Sequence, residues 1–282
     1  MIRIIIKITL GFLLLISSFI VKAQNFQGKA IYQTKMQMSA DFKKRMDTTK
    51  MPDDRKAFFM KMIKKRMERV YELDFNAKAS IYKEEKSLVA PSENERFNRS
   101  SNDVLFMDVK NHSFVNKKET FGKVFLVKDS LSTFDWKLEK ETKMIGKYLC
   151  LKATTEKVVK NRMSRFRRFS KKEKTDSTKV KTPKKTKITA WYAPEIPVAN
   201  GPKDFYGLPG LILQVDAGNM QYLCTKIVLN PKDKIEITAP KKGKEISQDK
   251  YDEVVAKKVK EMREMYRNKR KKGGSSYRSH RH

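Results

Sequence analysis

Apolar and polar residues alternate with a period of two along much of the chain. In residues 28–38, Tyr32, Thr34, Met36 and Met38 fall on one side and Gln33, Lys35 and Gln37 on the other, the spacing of a strand. Residues 71–81 give the cleanest alternation, with Tyr71, Leu73, Phe75, Ala77, Ala79 and Ile81 set against Glu72, Asp74, Asn76, Lys78 and Ser80. That pattern predicts a single strand with one packed and one wet face, as in an antiparallel sheet. Shorter runs at 104–110, 113–117, 123–128, 133–139 and 148–154 have the spacing of a meander joined by tight turns. Phe134, Trp136 and Leu138 share a face there, and Gly146 suits the turn before Tyr148. Residues 187–192, 211–215 and 222–229 continue the series, Ala217-Gly218-Asn219 joining the last two as a hairpin, and 235–238 add a short final strand.

Two stretches change period. After Met51-Pro52-Asp53-Asp54, an acidic helix start, Phe58, Phe59, Met62 and Ile63 form an apolar side and lysines and arginines fill the rest of residues 55–69. This predicts an amphipathic helix with a basic outer face. Near the other end, Ser247 is a suitable N-cap, and Tyr251, Val254, Val255, Met262 and Tyr266 recur at helical spacing over 247–268. Residues 269–282, which include Lys271-Lys272-Gly273-Gly274-Ser275-Ser276 and close on His282, read as a disordered tail. The fold class that follows is mainly β (α+β). It is a single strongly curved antiparallel sheet or half-barrel of about eight to eleven strands, with one helix after the first strand and one at the C-terminus.

Charge alters the picture. Charged residues make up 34% of the 282 and the formal net charge is +32. Such an imbalance favours anionic partners such as lipid head groups, unless the lysines merely solvate loops. Residues 158–187 are the extreme case, with Arg162, Arg165, Arg167, Arg168, Lys171, Lys172 and their followers against only Glu173 and Asp176. A run so charged reads as a flexible basic insertion in a β domain spanning 24–246, although Phe166 and Phe169 would also suit an anionic membrane surface. Arg3 and Lys7 precede an apolar run at 8–21, and Val21-Lys22-Ala23 closes it with small residues, so 1–23 read as a signal peptide. The expected location is outside the cytoplasm, where nucleic acid is not an expected partner.

The rest of the chain is organised around residues 191–216. Four of the nine prolines and three of the eleven glycines lie there. Pro194, Pro197 and Pro202 interrupt any interior strand, while Gly207 and Gly210 bracket Leu208-Pro209 so that the chain can reverse. Gly207, Pro209 and Gly210 therefore read as a fold-defining turn. The alternative is a recognition rim in which Trp191, Tyr192, Phe205, Tyr206, Leu208 and Pro209 face a partner or ligand.

The same residues carry a resemblance. Gly207-Leu208-Pro209-Gly210-Leu211-Ile212, preceded by Trp191-Tyr192, Ile196-Pro197-Val198 and Gly201-Pro202-x-x-Phe205, resembles the signature of the GLPGLI family of secreted Bacteroidota proteins. Tyr71-x-Leu73-x-Phe75, Ser80-x-Tyr82 and Gly146-x-x-x-Cys150 are similar to weaker blocks of that family. The resemblance implies a periplasmic or outer-membrane-associated location and carries no catalytic residues.

Candidate chemistry is sparse. His112 is the one histidine outside the tail, and no metal-ligand spacing, phosphate loop or dinucleotide turn accompanies it. No metal, no cofactor and no catalytic residue are expected, and the fourteen methionines read as core packing. Cys150 and Cys224 can pair in an oxidising compartment or pack as buried thiols. The expectation is an exported, non-enzymatic binding or accessory protein of the cell envelope. It would hold an apolar ligand, dock on an outer-membrane protein or meet an anionic lipid surface, in an oligomeric state the sequence leaves open. The alternatives are a hydrolytic enzyme using carboxylates, Asp204 and Asp216 for instance, or Cys150, and a structural component of an envelope assembly.

Overall fold

The structure is a computed structural model, and it describes residues 26–36, 44, 46–49, 51–85, 102–158 and 185–273. The expected signal peptide, most of the basic insertion and residues 274–282 lie outside the described residues. The elements in chain order are β1 (Gln27–Met36), α1 (Asp53–Met67), β2 (Val70–Asn76), β3 (Ala79–Glu84), β4 (Val104–Asp108), β5 (Ser113–Thr120) and β6 (Lys123–Ser130). They continue with β7 (Lys137–Ile145), β8 (Tyr148–Val158), β9 (Lys185–Ala193), β10 (Leu211–Ala217), β11 (Met220–Leu229), β12 (Lys244–Ile246) and α2 (Gln248–Gly273).

The twelve strands among the described residues belong to one sheet, in the order β12-β6-β5-β4-β3-β2-β1-β11-β10-β9-β8-β7. The fold class is mainly β as expected, with one strand more than the upper count. Every pairing is antiparallel except that of β12 with β6. The curvature follows from chain length. Second and last in that order, β6 and β7 are ten strand intervals apart, about 48 Å on a flat sheet. The seven steps from Ser130 to Lys137 reach at most about 25 Å. A sheet whose second and last strands are joined by so short a segment must curl towards itself, and residues 131–136 bridge the opening.

Local chemistry explains where the elements differ from the expected ones. The long alternation at 71–81 is a hairpin, because the Asn76 side-chain oxygen accepts from the backbone N–H of Lys78 and of Ala79, both at 2.8 Å. This turn reverses the chain and shifts the phase, so Ser80 and Tyr82 join Phe75 and Leu73 on one face while Ile81 falls opposite Asp74. The expected meander over 104–154 holds from β4 to β6 and again between β7 and β8, but breaks between β6 and β7, which lie at opposite sides of the sheet. The Gly218-Asn219 hairpin forms between β10 and β11, with Ala217 opposite Met220. Residues 235–238 form no strand: the preceding strand β11 has β1 on one side and β10 on the other, so it offers them no free edge. The last strand is instead β12, laid parallel to residues 125–127.

The two helices attach differently. On α2 the Tyr251 ring packs at 5.6 Å from Phe125, and its hydroxyl lies 2.7 Å from that of Thr120. Val254 and Val255 complete this contact with β6. The helix continues to Gly273 and so overlaps the expected tail, while Met262 and Tyr266, expected on its packed side, are exposed. Helix α1 meets β1, and its apolar residues Met60 and Ile63 are half-covered. Phe58, Phe59 and Met62, expected to pack, point to solvent.

On β8 and β9 the residues flanking the basic segment, Val158 and Lys185, are themselves paired. The segment therefore leaves and re-enters the sheet at one point.

Candidate functional site

The corner between β9 and β10 lies against the sheet face that carries Tyr32, Leu73, Phe75 and Tyr82. Its Ile196 and Val198 are buried in one cluster with those four side chains. Backbone hydrogen bonds fix the path: Leu211 N–H donates to Ile196 O at 2.9 Å, Ile212 N–H to Asn200 O at 3.0 Å, and Gly207 N–H to Ala199 O at 2.9 Å. Two side chains tie the corner to the far strands. The Tyr32 hydroxyl donates to Ile212 O at 2.7 Å, and the Asn200 amide to Asn76 O at 2.9 Å.

The bridge at 131–136 closes over the corner. Trp136 Nε1 donates to Tyr206 O at 2.9 Å. The Phe134 ring lies 5.3 Å from Trp136, 5.7 Å from Phe205 and 5.9 Å from Tyr206, centroid to centroid. Phe134 and Trp136 are thus not strand residues sharing a face with Leu138, which is exposed. Only their neighbours Ser132 and Asp135, weak strand formers, hinted at this.

The expected rim residues are distributed accordingly. Tyr192, Phe205, Tyr206 and Leu208 are buried. Trp191 is half-buried with the Lys143 ammonium 5.3 Å from its ring centroid, and Pro209 is exposed. The turn residues sit as their chemistry requires. Gly207 adopts φ +93°, and Gly210 passes so close to the Ala193–Pro194 peptide that a side chain has no room.

Around the corner Asp204 and Asp216 each have a close partner. Burial pushes the Asp204 carboxyl up, but the Lys203 and Lys157 cations outweigh it and hold the group low, Lys157 Nζ donating at 3.0 Å. Asp216 accepts from the amides of Gln214 and Gln221, both at 2.7 Å. Burial raises the Tyr71 phenol to about 12, with Glu84 adding to the shift. Among the described residues no group of three or more His, Cys, Asp or Glu side chains is placed to hold a metal ion. His112 lies in the β4–β5 turn, remote in sequence from the corner, with φ +50°.

Both cysteines are buried free thiols. Their strands, β8 and β11, are separated by β9 and β10, so the backbones stand three intervals apart, about 14 Å along the sheet. A disulfide needs Cα atoms within about 7 Å; both thiols are unbonded in this structure, although they share one buried cluster across the curved face. Burial raises Cys150 to about 11 and Cys224 to about 12. A catalytic thiol needs the opposite shift. At pH 8 the native protein should therefore react with an aromatic disulfide reagent roughly 100-fold more slowly than a free thiol does, and both groups should titrate on unfolding. A chain that shows no thiol after unfolding without reductant would restore the disulfide.

Besides Asn200 Oδ1 of the corner, three hydroxyl oxygens stand apart. Ser80 Oγ, Tyr82 OH and Tyr206 OH are buried and have no hydrogen-bond partner among the described residues. Ser80 and Tyr82 share a face by their spacing in β3, Ser80 is cross-strand to Met107, and Met107 packs on Tyr206. The register had hidden this grouping, because Ser80 was expected on the wet face.

Comparison with known proteins places the corner in wider company. The profile of a family described as "Protein of unknown function (Porph_ging)" matches residues 136–214, from Trp136 to Gln214. Over those residues the chain resembles a domain of unknown function that includes the whole turn. None of the curated proteins matches. Structures of PNGF-II solved in the P21 and C2 space groups are similar at a TM-score of 0.46 and 14% identity, covering 80% and 81% of this chain. The chain spans about a third of their length, 32% in each case.

Proposed function

We propose that the chain is an exported, non-enzymatic binding or accessory protein of the cell envelope, of the GLPGLI type within that wider group of unknown function. The observation that carries the proposal is the inner face itself. The corner and the aromatic bridge lie over a curved sheet near which Asp204 and Asp216 are paired, and buried hydroxyls of Ser80, Tyr82 and Tyr206 lack partners among the described residues. Unsatisfied buried oxygens amid apolar and aromatic side chains suit a mostly apolar ligand with a few polar atoms, such as a lipid or an apolar peptide. The raised thiols speak against the Cys150 enzyme, and the pairing of Asp204 and Asp216 with lysine and amide partners speaks against acid–base work by those two.

The test uses the exported protein purified from envelope fractions, with its organic extract examined by mass spectrometry and its co-purifying proteins identified. A stoichiometric lipid or peptide supports the held ligand, and a single outer-membrane protein supports docking. An empty, solitary protein that also turns over ester or peptide substrates would overturn the reading.

A further inference from the structure

Helix α1 presents to solvent a stripe that a packed helix would hide. Phe58 is 69% exposed, Met62 51% and Phe59 36%. At 100° per residue these three positions fall within one 100° arc. The adjoining arc, roughly 140–200° from Phe58, holds Lys56, Met60 and Ile63, each half-covered, and the helix meets β1. Arg55 lies in the same arc one turn earlier and Lys61 borders it, both exposed, and the helix sequence continues Lys64-Lys65-Arg66. Its only carboxylates, Asp53 and Asp54, stand in the first turn, where the helix dipole favours them.

Apolar side chains aimed outward between cations match one environment. At the surface of an anionic bilayer the ring and thioether groups enter the boundary between head groups and acyl chains while arginine and lysine stay level with the phosphates. We propose that α1 is an interfacial helix that lies on a bilayer of anionic phospholipid through Phe58, Phe59 and Met62, with Arg55 and Lys61 meeting the head groups. Charge complementarity selects this occupant. A second copy would bring the same cations against a chain of net charge +32. A nucleic acid would reward the cations but leave the apolar stripe in water. The inference rests on the envelope reading for its lipid surface, and it does not depend on any ligand under the corner.

The test uses the exported protein with purified vesicles alone, so an empty inner face cannot affect it. Vesicles of phosphatidylcholine with phosphatidylglycerol should bind the protein, and pure phosphatidylcholine should bind it far less. Because the stripe is exposed, substitution there leaves the fold intact. Phe58→Ser together with Met62→Ser should weaken binding to the mixed vesicles about tenfold or more, the loss expected for apolar side chains that leave the interface. Phe58→Trp should show a blue shift of its added emission on vesicle addition, persisting in part at raised salt. Unchanged binding by the double variant, or a tryptophan that stays water-exposed while the protein is bound, would mean that the charge acts elsewhere and would overturn the proposal. So would a double variant whose only loss is affinity for a protein or a nucleic acid.

Discussion

Gly210→Ala should destabilise the fold by about 3 kcal/mol or more, a large fraction of a typical domain's stability. The added Cβ would overlap the carbonyl oxygen of Ala193 and lie 2.7 Å from its carbonyl carbon and 2.9 Å from Pro194 N. All three are backbone atoms, so no rotamer change relieves the clash. Nor can that peptide shift freely. Ala193 pairs with Leu211 at the end of β9, its carbonyl accepts from Ile196 N–H at 3.1 Å, and the next residue is a proline with fixed φ. Gly207→Ala is the matched control, since there only Trp136 Nε1 comes within 4 Å, at 3.9 Å. Its cost should be the left-handed penalty alone, about 1–2 kcal/mol. Gly201→Ala should fall between the two, because its Cβ would meet Phe205 O at 2.8 Å but also Ile212 side-chain atoms at 2.9 Å. Urea unfolding of the three variants at common m-value gives the ranking directly. A Gly210→Ala protein no less stable than Gly207→Ala would show that close approach to Ala193 is not what the glycine is for.

This ranking turns on contacts that a sequence hints at but does not contain. The corner was legible because proline and glycine act locally: Pro194, Pro197 and Pro202 exclude a ladder, and Gly207 and Gly210 permit a reversal whatever lies around them. The Gly218 hairpin was legible for the same reason. Burial of the corner was not, because it depends on Phe134 and Trp136 arriving from the far edge of the sheet. Which strand follows β6 in space is decided by closure of the whole sheet, and the six residues between give no local sign of it. Helix α1 shows the same limit in another form. Its period groups Phe58 with Met62 and Met60 with Ile63, but both groups are apolar, so pattern alone cannot choose which one is covered. The hairpin at Asn76 was hidden because Ala77 and Ala79 continue the alternation through the turn. Only the amide of Asn76, able to cap two backbone donors, marked the break.

The second large effect belongs to Phe205. Its ring is buried at 5.7 Å from Phe134 and 5.9 Å from Tyr222, so it joins the bridge, the corner and β11. Leu208, Ile212, Val215 and Tyr192 belong to the same cluster. Truncation to alanine should cost about 3–5 kcal/mol, because a site walled by sheet on one side and by the bridge on the other collapses poorly. Phe205→Leu keeps most of the volume and should recover the greater part of that loss. Phe134→Ala, at a half-buried position, should cost less on its own. The double variant should then fall short of the summed costs by about 0.5–1.5 kcal/mol, the coupling of an aromatic pair. Trp136→Phe, which removes the donor to Tyr206 O, should cost about 1 kcal/mol. These numbers separate the two readings of the corner. If its aromatics hold the bridge to the sheet, Phe205→Ala lowers the urea midpoint strongly and couples to Phe134. If they serve as a recognition rim, the same variant unfolds at the wild-type midpoint and loses only its partner. The buried ring and the indole hydrogen bond to Tyr206 require the first result, because a side chain enclosed by its own fold cannot be removed without cost to that fold.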